Sequence, residues 1–214
     1  MTHSKNICIP DPVIRRLTRY LEAVREYSES GSEWISSQEI ADSLGLTSST
    51  VRQDLSYLDF SGISKRGYQV GPLRDVIENS LGTDSTHKVV IIGAGNLGRA
   101  LAAHSGFTRG GFAICGIFDS DTRLTGTRIG ALKVREMHRL AGTVRKKNAD
   151  IGMIAVPGPS AQKALEDLLH AGIRGILNFS SAHLNGPKGA SIVDVRIVAS
   201  LQELVYRMKS SGKC

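Results

Sequence analysis

An apolar run, Val89-Val90-Ile91-Ile92, breaks into Gly93-Ala94-Gly95-Asn96-Leu97-Gly98 and then into a helix-like stretch ending near His104. A G-x-G-x-x-G turn between a strand and a helix constrains the fold strongly, because each glycine meets a separate steric need. Gly93 makes the tight turn, Gly95 lets a pyrophosphate approach the backbone, and Gly98 lets helix and strand pack closely. The pyrophosphate would sit on the helix N-terminus, where free N–H groups and the dipole favour an anion. A second apolar run, Ala113-Ile114-Cys115-Gly116-Ile117-Phe118, ends in Asp119, 21 residues after Gly98. That offset is close to the ~20 residues that bring a carboxylate to the ribose hydroxyls. Such a carboxylate repels a 2′-phosphate, so the expected cofactor is NAD (NADH/NAD⁺) rather than NADP.

Alternation continues beyond the turn. Strands are expected at Val89–Ile92, Ala113–Phe118, Ile151–Val156 and Gly175–Asn178, with a weaker one at Ile192–Val198. Helices are expected at Leu97–His104, near Arg135–Ala141 and at Ser160–Ala171. Nearly all-apolar strands alternating with helices indicate an α/β fold with a parallel sheet covered on both faces. Val156 and Pro157, ending a central strand, would line the nicotinamide pocket with apolar surface. Ser200-Leu201-Gln202-Glu203 reads as a capping box, followed by a stripe of Leu201, Leu204, Val205 and Met208. This last helix has two possible destinations, its own sheet or a second subunit.

The first 82 residues read differently. Pro12 suits a first helical position, with Ile14, Leu17, Leu21 and Val24 following at helical spacing. Ser36-Ser37-Gln38-Glu39 is a capping box opening a short second helix with Ile40 and Leu44 on its apolar face. Gly45 breaks that helix, and Thr47 or Ser48 caps a third that carries Val51, Leu55 and Leu58. This is the helix-turn-helix layout. A turn at Arg66-Gly67 between extended arms over Ile63–Val70 adds a wing, and a fourth helix is expected over Pro72–Leu81. Gly82 to Thr86 reads as a linker.

Charge does not follow the DNA-binding reading. Residues 1–82 hold nine Lys/Arg against eleven Asp/Glu, or −2, whereas residues 83–214 hold eighteen against nine, or +9. Any phosphate neutralisation by the first half must therefore be local. Arg52 and Gln53, near the start of the third helix, have the geometry to read guanine and adenine edges. Ser37, Ser49 and Thr50 at helix starts, with Lys65 and Arg66 in the wing, suit phosphate contacts. Asp54 is badly placed for DNA and is expected to brace the helix internally. Cys8, Cys115 and Cys214 have no paired or zinc-type spacing, and the histidines are isolated, so no metal site is expected and the expected address is a reducing cytoplasm. No apolar run approaches the ~20 residues that span a bilayer.

In this order and spacing the blocks resemble the Rex family of redox-sensing transcriptional repressors. They are Ile9-Pro10, Arg16-Leu17, Tyr20, Ile35-Ser36-Ser37, Val51-Arg52-Gln53-Asp54-Leu55-Ser56-Tyr57, Gly67-Tyr68-Gln69-Val70, Gly93–Gly98, Phe118-Asp119, Val156-Pro157 and Gly175-Ile176-Leu177-Asn178-Phe179. The resemblance implies a winged helix-turn-helix domain over 1–82, a Rossmann-type domain over 83–199 and an exchanged dimerisation helix with its tail over 200–214. It also implies a homodimer on a palindromic double-stranded DNA operator, released when NADH replaces NAD⁺. Gln53 stands where the family has Lys. His104 stands where it tends to have Tyr, and Arg196-Ile197 where it has Asp-Phe. Arg16, the family's partner for that Asp, is retained, so Arg16, His104 and Arg196 are the switch candidates; a register shift would put Asp194 in the Asp role.

An alternative is a small NAD-dependent dehydrogenase with a regulatory helix-turn-helix. Only 58 residues follow Val156, too few for a substrate domain, and no catalytic Lys/His/Tyr group presents itself, so no enzyme activity is expected. A third possibility keeps the helix-turn-helix and gives the second domain another nucleotide, such as coenzyme A; Asp119 argues against it.

Overall fold

The computed structural model describes residues 9–210, so Cys8, Cys214 and the tail from Ser211 onward lie outside the described residues. The chain divides into two compact units that meet between Ser85 and Thr86.

The first unit opens with α1 (Asp11–Glu29), which carries Pro12 in its first turn, where an absent N–H breaks no helical hydrogen bond. Its buried face is Val13, Leu17, Tyr20, Leu21 and Val24, while Ile14, expected on that face, stays 39% exposed. Next come β1 (Trp34–Ile35), α2 (Ser37–Leu44), α3 (Ser48–Leu55), β2 (Tyr68–Gln69) and α4 (Val70–Leu81). The capping box of α2 forms as expected: Ser36 Oγ accepts from Glu39 N at 3.1 Å and Glu39 Oε2 accepts from Ser36 N at 2.7 Å. Gly45 closes α2 in the left-handed conformation, and Thr47 rather than Ser48 caps α3. Ile35, Ile40, Val51, Leu55, Leu73 and Ile77 close one core around Leu17 and Tyr20.

The wing is smaller than a ribbon over Ile63–Val70. Only one bridge, Ile63 to Gly67, forms there, and β2 pairs antiparallel with β1 instead. Within this five-residue turn, Lys65 and Gly67 have φ of 64° and 91°. At Gly67 a side chain would overlap the Ile35 carbonyl, so the chain leaves the turn straight into its pairing with β1.

The second unit contains β3 (His87–Ile92), α5 (Asn96–Ala103), α6 (Gly106–Arg109), β4 (Phe112–Asp119), β5 (Arg128–Ile129), β6 (Leu132–Glu136), α7 (Leu140–Lys147), β7 (Ile151–Ile154), α8 (Gly158–His170), β8 (Gly175–Asn178), β9 (Ser191–Asp194) and α9 (Ile197–Ser210). The sheet order is β5-β6-β4-β3-β7-β8-β9, parallel apart from the antiparallel edge strand β5. One core, with Val90, Phe118, Ile154 and Leu165, covers one face; the other, with Val89, Ile91, Ile117 and Met153, covers its opposite.

Three expectations are corrected here. The helix placed near Arg135–Ala141 is strand β6, then a 3₁₀ turn, and α7 starts only at Leu140. Around the single buried residue Val134 the side chains alternate in and out, and one core position gives no period to read from sequence. The Ser200–Glu203 capping box does not form, because α9 starts at Ile197 and Ser200 lies inside it, bonding back to Arg196 O at 3.3 Å. The weak strand over Ile192–Val198 is confined to β9, and α9 has already begun by Val198.

Candidate nucleotide and nucleic-acid sites

The chain crosses from the β6 side of the sheet to its β8 side between β3 and β7, and ligands of such sheets bind at the strand carboxyl ends beside that crossing. Gly93–Gly98, Asp119 and Val156-Pro157 all lie at those ends. Gly93 has φ of 104°, and a Cβ there would come within 2.5 Å of Ala155 O and 2.9 Å of Val156 Cγ1. The turn is thereby pressed against the β7–α8 connection, and a Cβ at Gly98 would strike Gly93 O. At Gly95 a Cβ would meet nothing within 4 Å, and no side chain caps α5. Open space therefore lies over an uncapped helix start, which fits a pyrophosphate on the first-turn N–H groups.

Asp119 does more than wait at the end of β4. Its Oδ2 accepts from Ala94 N at 2.6 Å and its Oδ1 from Asp121 N at 2.8 Å. The carboxylate ties the glycine turn to the neighbouring strand, and its remaining lone pairs are free for hydroxyl donors. Arg99 Nε adds a bond to Ala94 O at 2.9 Å. Val156 is half-buried and Pro157 exposed.

The two switch candidates of the second unit, His104 and Arg196, are not brought to the glycine turn. His104 is exposed at the opposite end of α5 from the glycine turn, edge-on to Phe107 at 5.3 Å between ring centroids. Arg196 donates to Ser180 O and Ala182 O, each at 3.0 Å, and to Asp194 Oδ2 at 2.8 Å. Buried Asn178 completes that cluster, donating to Asp194 Oδ1 at 2.7 Å and accepting from Ser180. The Asn178 bond first, then Arg196, holds the Asp194 carboxyl below its ordinary range. Arg16 is engaged within its own unit, where Nε and Nη2 grip Asp54 at 2.6 and 2.8 Å while the Tyr20 hydroxyl donates to Asp54 at 2.6 Å. Asp54 thus braces α3 against α1, as expected, and Asp194 is committed to Arg196. Burial by itself would raise the Asp54 carboxyl, but the bonds from Arg16 and Tyr20 and the guanidinium charge together hold it low. Tyr20 is pushed up, by burial first and then by its bond to Asp54.

Of the nucleic-acid candidates, Ser37, Arg52 and Lys65 line one cavity of the first unit. Thr47 Oγ1 lies 3.0 Å from Ser49 Oγ and 2.8 Å from Thr50 Oγ1, so these hydroxyls cluster at the start of α3. Arg52 Nη1 donates to Ser37 Oγ at 3.1 Å, linking the starts of α2 and α3. Gln53, Lys65 and Arg66 are exposed. A cavity of about 580 Å³ separates the helix starts from the wing, with Ser37, Arg52, Lys65 and Tyr68 on its walls. Sequence reasoning missed Trp34, which holds the Arg66 guanidinium 4.0 Å from its ring centroid and so aims the wing. The chain's single tryptophan, two residues before the Ser36 cap, was the available signal.

A winged helix-turn-helix joined to a Rossmann-type unit defines a DNA-binding regulator equipped to respond to a nucleotide. Family models agree on both parts: "Putative DNA-binding protein N-terminus" matches residues 8–56 and "CoA binding domain" matches residues 84–182. The redox-sensing transcriptional repressor Rex of Clostridium perfringens strain SM101 is 38% identical over 194 residues, covering 91% of this chain and 92% of that protein. Its counterpart from Carboxydothermus hydrogenoformans is 38% identical over 205 residues, covering 96% and 99%. Among solved structures, RSP in complex with β-NAD⁺ and operator DNA superposes with a TM-score of 0.87 at 35% identity, covering 97% of this chain and 95% of that one. RSP in complex with β-NADH gives 0.85 at 35% identity, with 97% of each chain covered. The chain belongs to the Rex family of redox-sensing transcriptional repressors.

Proposed function

We propose that this repressor binds a palindromic operator as a homodimer in the cytoplasm and leaves it when NADH replaces NAD⁺. The carrying observation is the uncapped, open start of α5 beside Asp119, kept in a chain 35% identical to a repressor solved with both nucleotides. In this reading Gly93, Ala94, Gly95, Asn96, Leu97 and Gly98 hold the pyrophosphate by backbone, and Asp119 holds the ribose. Val156 and Pro157 face the nicotinamide ring. The oxidised ring is a cation, which apolar surface disfavours, so the reduced form gains there. The two forms differ only at that ring, and a near-complete switch needs roughly 10⁴-fold preference between conformations. Arg52 and Gln53 read bases, while Ser37, Ser49, Thr50, Lys65 and Arg66 hold phosphates. The apolar face of α9 supplies the dimer contact. Arg16, His104 and Arg196 report the nucleotide state, Arg16 by holding or releasing Asp54.

A gel shift on a palindromic operator, titrated with NADH, NAD⁺, NADPH and coenzyme A, tests this reading. NADH should release the DNA at the lowest concentration. Equal DNA affinity under all four would end it, and release by coenzyme A alone would give the second domain the ligand in its family model's description. Asp119→Ala should weaken NADH and NAD⁺ alike by calorimetry; unchanged affinities remove Asp119 from the site.

A further inference from the structure

Residues 122–149 hold eight Lys/Arg against one Asp/Glu, a net charge of +7 equal to that of the whole chain. Part of this charge converges on a trough of about 860 Å³ between β6 and α7, a volume within the range of nucleotide-sized sites. Lys133 and Arg135 stand on one side of β6, flanking buried Val134, and line the trough with Arg139, just before α7, and with Thr143, Lys146 and Lys147 of α7. Among the described residues none of Lys133, Arg139, Lys146 or Lys147 takes part in an ion pair. The one acid at the rim, Glu136, is engaged by His138 at 3.2 Å.

Fold stability explains little of this arrangement. Lys146 and Lys147 complement the carboxyl end of α7, but Arg139 sits at its amino end, where the helix dipole disfavours a cation. Arg135 is not left loose: it donates to Thr143 Oγ1 at 3.1 Å, and Thr143 donates to Arg139 O at 2.9 Å. One guanidinium is therefore aimed, and guanidinium groups match phosphate oxygens in a bidentate way. Gly142 leaves the helix wall open, with nothing within 4 Å of a Cβ placed there. The cations surround a concavity rather than lying along a stripe, which suits a compact anion better than a duplex backbone.

We propose that the trough between β6 and α7 binds a small polyphosphate anion, a nucleoside polyphosphate or its inorganic equivalent. Because the β6 residue Glu136 is in register with Asp119 of β4, an occupant would lie one strand away from the nucleotide candidate.

Calorimetry on the full chain with ATP, tripolyphosphate and orthophosphate tests it, each with saturating NADH present. Both polyphosphates should bind at least tenfold more tightly than orthophosphate, and Lys133→Ala with Lys146→Ala should weaken them at least tenfold. The same variant should titrate with NADH unchanged, since its residues lie outside the glycine turn; that separates failure here from failure of the NADH reading. Tighter ATP than tripolyphosphate would assign a nucleoside, and equal binding an inorganic chain. Absence of polyphosphate binding, or equal binding by the variant, overturns the proposal. Loss of operator binding in the variant without polyphosphate binding by the parent also overturns it and gives the trough to DNA.

Discussion

Helices α1 and α9 carry the same kind of apolar stripe and meet opposite fates. On α1, Leu17, Tyr20 and Val24 are fully buried against the rest of the first unit. On α9, Leu201, Leu204, Val205 and Met208 remain 56%, 52%, 50% and 68% exposed, with Ile197, Val198 and Tyr206 beside them also uncovered. In this structure α9 does not bury its stripe on its own sheet. A stripe tells that a helix needs a partner, and only the surrounding chain decides whether that partner is internal. A contiguous apolar face of this kind marks an interaction surface, which is the ground for the proposed dimer contact.

The largest expected effect separates these helices directly. If the proposed dimer forms through α9, Leu201→Asp with Leu204→Asp should convert it to monomer, weakening association more than 100-fold in analytical ultracentrifugation, with unfolding of the monomeric units unchanged. Leu17→Asp, by contrast, should unfold the first unit outright. If the α9 variant stays dimeric, the stripe serves some other contact.

Next in size comes the brace on α1. Asp54→Ala leaves Arg16 and Tyr20 without their shared acceptor, and breaking such a pair costs about 3–5 kcal/mol. Urea unfolding followed by circular dichroism measures it. The pH sign follows from the lowered Asp54 carboxyl. Its contribution is complete above the ordinary carboxylate value of about 4 and is lost as pH falls through the lower folded value. Asp54→Asn should therefore flatten the stability decline below about pH 4; an unchanged acid limb would show that other carboxylates carry it.

What could be read in advance depended on whether a signal was local. The glycine turn was legible because Gly93, Gly95 and Gly98 act within one turn, and Asp119 because strand length fixes its offset. Ser36 was legible since its capping partner is three residues away. The bond Arg16 makes was not legible for the opposite reason: its partner within the unit, Asp54, lies 38 positions along the chain, and no period links them. The cluster of Asn178, Asp194 and Arg196 depends on β8 and β9 being neighbours, which composition does not announce. Among the nucleic-acid candidates each residue type was legible, but the Arg52–Ser37 and Arg66–Trp34 contacts come from folding, and they decide where the charges point.

The smallest effect sets two motifs of the same S-x-Q-E pattern against each other. Ser36-Ser37-Gln38-Glu39 and Ser200-Leu201-Gln202-Glu203 both read as capping boxes, yet only the first sits at a helix start. Ser36→Ala removes the acceptor for Glu39 N and should cost about 1 kcal/mol. Ser200 instead bonds back to the Arg196 carbonyl inside α9, while Glu203 pairs one turn on with Arg207. Backward bonding of this kind slightly weakens a helix, and alanine is the better helix former by a few tenths of a kcal/mol. Ser200→Ala should therefore be neutral or faintly stabilising in thermal unfolding, with a sign opposite to Ser36→Ala. A loss near 1 kcal/mol at Ser200 would mean that α9 begins four residues later in solution, at Leu201, with the motif acting as a cap after all.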